Sequence, residues 1–366
     1  MQVKSIEPIA VRLPMRKPVI MAGEDVRSAD NMLVRMETDN GLVGWGEAAS
    51  APTMTGETLE SMVAAVRRLA PALVGRQPAD IAGAYAAMNA RLYGNHGAKA
   101  AIEIALHDLA GQASGQPIHV LLGDKRRSRI TILGVIGGGD LAGDLSDAAK
   151  KKADGFTAFK IKVGIDSVEN DAARTREICT LLGAGLLISA DANQGFNTQQ
   201  ATDYVRAVAG AGLNFFEQPV PGYDLAGMAA VAAAGEIVIG ADEGIHSLAD
   251  IQAHHDRKAA RGVSLKAIKL GGLRGVVEAG RLCDRLAMSV NIACKTGESS
   301  IACAAALHIA SVIPNIAWGL TLTNGGLSED VTAQPIRISN GFADGLDRPG
   351  LGIDVDEERV QAHRIG

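Results

Sequence analysis

A chain of 366 residues with 47% hydrophobic and 21% charged residues has enough apolar side chains for one large barrel or two domains. A formal net charge of −5 with no basic block excludes an electrostatic footprint for nucleic acid or an anionic membrane surface. There is no run of about eighteen apolar residues, and the alternating MQVKSIEPIAVRLP start lacks a signal-peptide pattern, so a cytoplasmic protein with no membrane partner is expected. Cys179, Cys283, Cys294 and Cys303 lie far apart without a CxxC, which predicts reduced, mostly buried thiols.

The first third reads as an antiparallel sheet followed by helices. Residues 2–12, 31–37 and 42–47 alternate or carry branched side chains, and Asp39-Asn40-Gly41 is a hairpin signal. Helical periodicity follows over 56–74, 78–91 and 97–114. From Thr131 the rhythm changes to eight short apolar runs separated by amphipathic stretches: ITILGVI, FTAFKIKV, LLISADAN, LNFFEQPV, IVIGADE, SLKAIKL, MSVNIAC and NIAWGL. Strands alternating with helices make βαβ units, and eight of them predict an α/β fold closed as a (β/α)7β modified TIM barrel, with an open doubly wound sheet as the alternative. The expected organisation is an α+β capping domain over 1–125, the barrel over 126–326, and a segment 327–366 returning to the cap. Gly137, Gly139 and Ala142 fit the spacing of a dinucleotide loop, but lysines stand where that motif needs an acid, so no nucleotide is expected.

Active sites of such barrels sit at the C-terminal ends of the strands. Strand two ends in Lys160 and Lys162, strand three in Asp191, strand four in Glu217, strand five in Asp242, and strand six in Lys266 and Lys269. One acid at a strand end is ordinarily a helix cap or a loop charge. Three acids 26 and 25 residues apart, about one βα unit each, converge on one point and require a cation. Oxygen ligands without His or Cys select a hard ion, Mg2+ first and Mn2+ next. Two ammonium groups about 6 Å apart repel by about 3 kcal/mol at an effective dielectric near 20, enough to depress one lysine pKa by about two units. Lys162 and Lys269, flanking the acids, would then address two faces of a carbon α to a metal-bound carboxylate. None of the eight histidines stands at a predicted strand end, which argues against a His-ligated hydrolase.

The set KIK (160–162), DAN (191–193), EQP (217–219), DE (242–243) and KLGG (269–272) resembles the enolase superfamily and, within it, the muconate lactonizing (muconate cycloisomerase) subgroup. The stretches GLVGWGEA, YGNHGAKAAIEIALHDLAGQ and RPGLGIDVDEERV extend the resemblance over essentially the whole chain. It implies Lys162 as the strand-two base and Lys160 as its neighbour that contacts the substrate carboxylate. Lys269 becomes the strand-six acid/base, Asp191, Glu217 and Asp242 the Mg2+ ligands, and Asn193 a secondary contact. Specificity is expected in loops of the N-terminal unit, over 18–30 and 49–57, and at strands seven and eight, with Lys295 and Glu298 as substrate contacts and Trp318 packed in the barrel. Strand eight, AWGLTLTNGG, lacks both the acidic pair of dipeptide epimerases and the acid of muconate cycloisomerases. The implied function is a Mg-dependent isomerase of a small carboxylate, acting through an enolate in the manner of a muconate cycloisomerase. A racemase or epimerase comes second, a syn dehydratase third and a non-catalytic metal-binding barrel last, and a homo-oligomer is expected. A cavity-facing Lys295 would call for a second anionic or carbonyl group on the substrate, as in a diacid.

Overall fold

The structure, a computed structural model, describes all 366 residues apart from Gly23, Gly138, Gly139 and the side chain of Glu24. Gly139 of the discounted dinucleotide spacing therefore lies outside the described residues. β1 (Val3–Met21), β2 (Glu24–Thr38) and β3 (Val43–Ala49) form an antiparallel three-stranded sheet. β1 runs past residue 12, where its alternation was expected to stop, and Val19 to Met21 pair with Val26 to Glu24. The 18–30 segment, expected as a loop, is thus the far end of a hairpin arm. Its register shifts between Pro14 and Val19, where Pro14 and Pro18 cannot donate to the ladder.

Helices α1 (Leu59–Leu69), α2 (Ile81–Arg91) and α3 (His96–Ser114) cover this sheet, α1 starting from a Thr58–Ser61 capping box. α3 is buried from Gly97 to Gly111 and lies directly on β3. Glycine permits that approach: a Cβ on Gly46 would stand 1.8 Å from the Ala101 carbonyl oxygen. The short α4 (Ile118–Leu122) and β4 (Arg129–Thr131) lead into the second unit.

That unit is built from β5 (Leu133–Ile136), β6 (Ala158–Lys162), β7 (Leu187–Asp191), β8 (Phe215–Glu217), β9 (Val238–Ala241), β10 (Gly262–Leu265), β11 (Ser289–Ala293) and β12 (Leu320–Thr321). They pair in parallel in sequence order, and a parallel bridge between Ile132 and Leu320 joins the first strand to the last. The connections carry α5 (Leu141–Ala153), α6 (Val168–Leu182), α7 (Thr198–Ala207), α8 (Leu225–Ala233), α9 (Leu248–Asp256), α10 (Ala267–Leu270) with α11 (Leu273–Arg285), and α12 (Ser300–Val312). Seven crossovers between eight parallel strands are the (β/α)7β arrangement that the run spacing predicts. Strand alternation turns Phe159 and Ile161 into the core beneath the helices and Lys160 and Lys162 into the lumen.

Near the strand starts, Trp318 stacks on Phe215 with ring centroids 3.9 Å apart and planes 5° apart. A Cβ on Gly262 would stand 2.1 Å from the indole, so glycine makes room for it there. Trp318 is a packing residue, as expected. In the tail, β13 (Phe342–Asp344) pairs with β4, and α13 (Glu357–Ala362) precedes a bridge from Arg364 to Val11 of β1.

Buried carboxylates stitch the two units together. Asp108 of α3 accepts from the amides of Trp45 and Leu351, both at 2.9 Å. Glu47 of β3 accepts from the amides of Ser299 and Ala302, both at 2.9 Å, and so caps α12 from the neighbouring unit. The four cysteines are buried and free, and among the described residues no helix is long and apolar enough to cross a membrane.

Candidate active site

A cavity of about 380 Å³ opens at the C-terminal ends of the barrel strands. The hairpin arm and the 49–57 segment wall it with Met15, Val19, Met21 and Met54, an apolar rim over a charged floor. His246, one turn beyond Asp242, pins that segment through a 2.7 Å contact between Nε2 and the Met54 carbonyl.

Parallel register places the floor. Lys162 pairs with Asp191, Asp191 with Glu217 and Glu217 with Gly240, so one row of the barrel carries a lysine and two acids, with Asp242 just past the end of β9. Lys160 Nζ lies 2.5 Å from Glu217 Oε2 and 3.8 Å from Asp191 Oδ2. Lys162 Nζ donates to Asp191 Oδ2 at 2.7 Å and to Asn193 Oδ1 at 2.6 Å. Lys266 Nζ donates to Asp242 Oδ2 in a short contact, and Lys269 Nζ lies 2.5 Å from Asp242 Oδ1. Four ammonium groups thus face three buried carboxylates.

Charge pairing dominates the titration of this floor. Burial disfavours the Lys160 ammonium, but the carboxylates of Glu217 and Asp191 outweigh it and hold the group above the ordinary lysine value. Burial likewise opposes ionisation of Asp191 and Asp242, yet Lys162 and Lys160 at the first, and Lys266 and Lys269 at the second, bring both below the usual carboxylate range. Glu217 is pushed up, chiefly by burial.

Strand six departs from expectation. β10 ends at Leu265 and residues 267–270 form a helical turn, so only Lys266 emerges at the strand end and lines the cavity. Lys269 is fully buried beneath it, donating to Asp242 Oδ1, the Asp242 carbonyl and the Ser264 carbonyl. The expected pairing of Lys162 with Lys269 across the cavity is not what the fold assembles; the residue facing Lys162 is Lys266. A strand read through LKAIKL hides this, although alternation already puts positions 266 and 269 on opposite faces.

Asn193 lines the cavity, with backbone φ of 42°. Lys295 lines it too, two residues past the end of β11. Glu298 does not: it is buried behind the 295–298 turn, where Oε2 accepts the Lys295 amide at 2.9 Å, and burial followed by the nearby Glu47 pushes it up to about 8. The sequence pattern gave no weight to Glu243, which lines the cavity beside Asp242 and accepts from Asn193 Nδ2 at 3.1 Å. Burial, then Asp242 and Asp191, push Glu243 up to about 7.

In this arrangement each acid turns toward an ammonium, and among the described residues no three His, Cys, Asp or Glu side chains close on a single metal position. The donor set nevertheless suits a hard dication. Three acids stand on successive strand ends, all oxygen donors, and the buried Glu217 Oε2 accepts no hydrogen bond among the described residues even with Lys160 beside it.

Residues 5–123 match the mandelate racemase / muconate lactonizing enzyme N-terminal domain, and residues 144–359 match the enolase C-terminal domain-like family. The chain is 30% identical to the N-succinyl-L-Arg/Lys racemase of Bacillus cereus, covering 99% of this chain and 97% of that protein. It is also 30% identical to the chloromuconate cycloisomerase of Delftia acidovorans, over 99% and 98% of the two chains. A dipeptide epimerase of Enterococcus faecalis V583, solved with Mg and the dipeptide L-Leu-L-Tyr, superposes with a TM-score of 0.91 at 28% identity, over 97% of this chain and 100% of that one.

Proposed function

We propose, on the premise that the chain belongs to the mandelate racemase / muconate lactonizing enzyme family of the enolase superfamily, that it isomerises a small carboxylate by moving the proton on the carbon α to that group. The observation that carries this is the placement of Lys162 and Lys266. They stand on β6 and just past β10, four strands apart in an eight-stranded barrel and so across the cavity from each other, with the three acid-bearing strand ends between them.

Asp191, Glu217 and Asp242 would hold Mg2+. When bound, the ion supplies positive charge for the oxygens on which negative charge develops as the proton leaves. Lys160, deep in the floor and kept cationic by its neighbours, adds a second positive charge for the same carboxylate. Lys162 takes the proton at Nζ from one face, and Asn193 Oδ1 orients that nitrogen. Lys266 gives or takes a proton at the opposite face and replaces Lys269 in that role. The apolar arm and the 49–57 segment exclude water from above. Residues 1–125 serve as the specificity cap, residues 126–326 as the catalytic barrel, and 327–366 as the tie between them. A cytoplasmic homo-oligomer is part of the same reading.

Cycloisomerisation is the first reading: an internal carboxylate adds to a double bond conjugated to the bound carboxylate and a lysine ammonium then protonates the α-carbon, the reverse of proton abstraction from the lactone, in line with the chloromuconate relative. The presence of a lysine on each face also suits racemisation, in line with the racemase relative. Incubation with a panel of carboxylates in D2O and Mg2+, with the products read by NMR, tests both. Deuterium at the α-carbon is expected from the wild type, and Lys162→Ala should keep it only for the configuration whose proton faces Lys266. Lys266→Ala should leave exchange at one stereocentre configuration only. A lactone product identifies cycloisomerisation, and loss of optical activity identifies racemisation. Exchange that survives in the Lys162→Ala/Lys266→Ala double variant overturns the assignment.

A further inference from the structure

We infer that Arg174, which lies outside the cavity, is the positioning residue of Lys162: from α6 it grips the carbonyl of that lysine and fixes where its ammonium group stands. The inference rests on the proton-transfer reading for the task of Lys162 alone, and the geometry stands without it.

Lys162 is the least supported residue of its strand. Up to Ile161, β6 is paired on both sides, with Lys160 between Val135 of β5 and Ser189 of β7. The ladder with β5 ends at Ile136 and Ile161, so among the described residues Lys162 has a strand partner on one side, Asp191 of β7. On the other side β5 gives way to Gly137, where a Cβ would stand 2.8 Å from the Lys162 Cβ. That flank offers close packing in place of a ladder.

Helix α6 takes over the missing restraint. Arg174 Nη2 donates to the Lys162 carbonyl at 2.6 Å and to Asp171 Oδ1 at 2.7 Å, while Nη1 donates to Asp144 Oδ2 of α5 at 2.7 Å. Asp171 stands three residues earlier on α6, and its other oxygen accepts the Gly164 amide at 2.7 Å. Between these two contacts the Val163 amide donates to the Asp191 carbonyl at 2.9 Å. Three successive residues at the exit of β6 are thus tied down, two of them by one Arg–Asp pair. Gly164 has a φ of 80°, and a Cβ there would meet the Ala192 carbonyl oxygen at 2.9 Å, so the exit runs hard against the neighbouring strand end.

Asp144 and Asp171 are buried, and the Arg174 side chain is 12% exposed. A guanidinium presents its donors in a rigid planar fork, so two carboxylates in fixed places determine where its remaining donor points. The acids aim Arg174, and Arg174 aims the Lys162 backbone. Lys160 sits in the complete part of the ladder, and Lys266 stands four strands away, so neither depends on this brace.

Crystallography and solvent exchange on Arg174→Met and Arg174→Lys test the inference. In the Mg2+-loaded Arg174→Met crystal, Lys162 Nζ is expected to shift by about 1 Å from its place beside Asp191, with Lys160 and Lys266 unmoved, and a shift of that size costs about a hundredfold in rate. Exchange is followed in D2O with each enantiomer of the carboxylate that the wild type exchanges fastest, from a panel of N-acetyl and N-succinyl amino acids. Exchange should fall by about a hundredfold for the configuration whose proton faces Lys162 and stay within about twofold for the other, with KM unchanged for both. Arg174→Met also leaves two buried acids without their cation, so its denaturation midpoint should drop. Arg174→Lys keeps that charge without the fork; it should hold most of the midpoint, show the same one-sided loss, and carry both measurements if Arg174→Met does not fold. An unmoved Lys162, or an equal loss for the two configurations, overturns the inference and leaves Arg174 as a tie between α5 and α6. Absence of exchange by the wild type with every acid would instead count against proton transfer, and the crystallographic comparison still decides the inference.

Discussion

Exchanging Lys269 and Lys266 for methionine, one at a time, separates a structural ammonium from a chemical one. Lys269 is fully buried, and its Nζ serves Asp242 Oδ1 at 2.5 Å, the Asp242 carbonyl and the Ser264 carbonyl at 3.0 Å. Lys269→Met keeps the side-chain length but leaves Asp242 with Lys266 alone and strips two buried carbonyls of a donor. Breaking a buried ion pair by removing one partner costs about 3–5 kcal/mol. A loss near about 4 kcal/mol is therefore expected in urea denaturation, with a lower midpoint and unchanged slope. Lys266 has the same Asp242 partner but opens onto the cavity, where water can replace its ammonium. Lys266→Met should cost less than about half as much stability, yet abolish proton exchange at one face of the substrate. Denaturation and α-deuterium NMR on the two variants read both quantities. If Lys269→Met is as stable as the wild type and loses face-specific exchange, while Lys266→Met exchanges normally, the two roles are reversed and the reasoning fails.

The same contacts set further expected outcomes. Glu298 is pushed up to about 8, first by burial and then by Glu47, from an ordinary 4.5. A carboxyl whose folded value is raised stabilises the fold fully below its unfolded value and loses that contribution as pH rises, here between pH 4.5 and about 8. The denaturation midpoint should thus fall across that window, by at most about 1.4 kcal/mol per pH unit from this group, and Glu298→Gln should flatten the slope. Trp318→Ala removes the ring stacked 3.9 Å from Phe215 and should cost about 3–5 kcal/mol in urea, while the folded variant retains proton exchange because the indole lies outside the cavity. Mg2+ at a hundredfold excess over its Kd should stabilise the protein by about 2.7 kcal/mol in thermal melts, and Asp191→Asn should remove most of that gain. A melt insensitive to Mg2+ in the wild type would exclude the three acids as its site.

Much of this protein is written in one dimension. Period-two and period-3.6 patterns are local, so the hairpin turn at Asp39-Asn40-Gly41, the eight apolar runs and the helices between them are legible directly, as are Lys160, Lys162, Asp191, Glu217 and Asp242 at the ends of those runs. Parallel register then carries lysine and acid into one row, because neighbouring strands of equal rise bring their ends to equal heights. Tertiary structure alone decided which lysine of LKAIKL reaches the cavity. That depends on whether the chain past Leu265 stays extended or turns helical, and the close packing of α10 on α3 settles it. The same holds for the side chains that meet over long separations. Glu298 is drawn behind its turn by the Lys295 amide near Glu47, the Thr321 hydroxyl has no partner among the described residues, and Met15 and Met21 come down as the roof from a hairpin arm that reads locally as a loop. No residue pattern encodes those meetings. They are set by how one face of the cap packs into the core of the barrel, where a buried carboxylate such as Glu47 must find amide donors on the other unit or go unpaired.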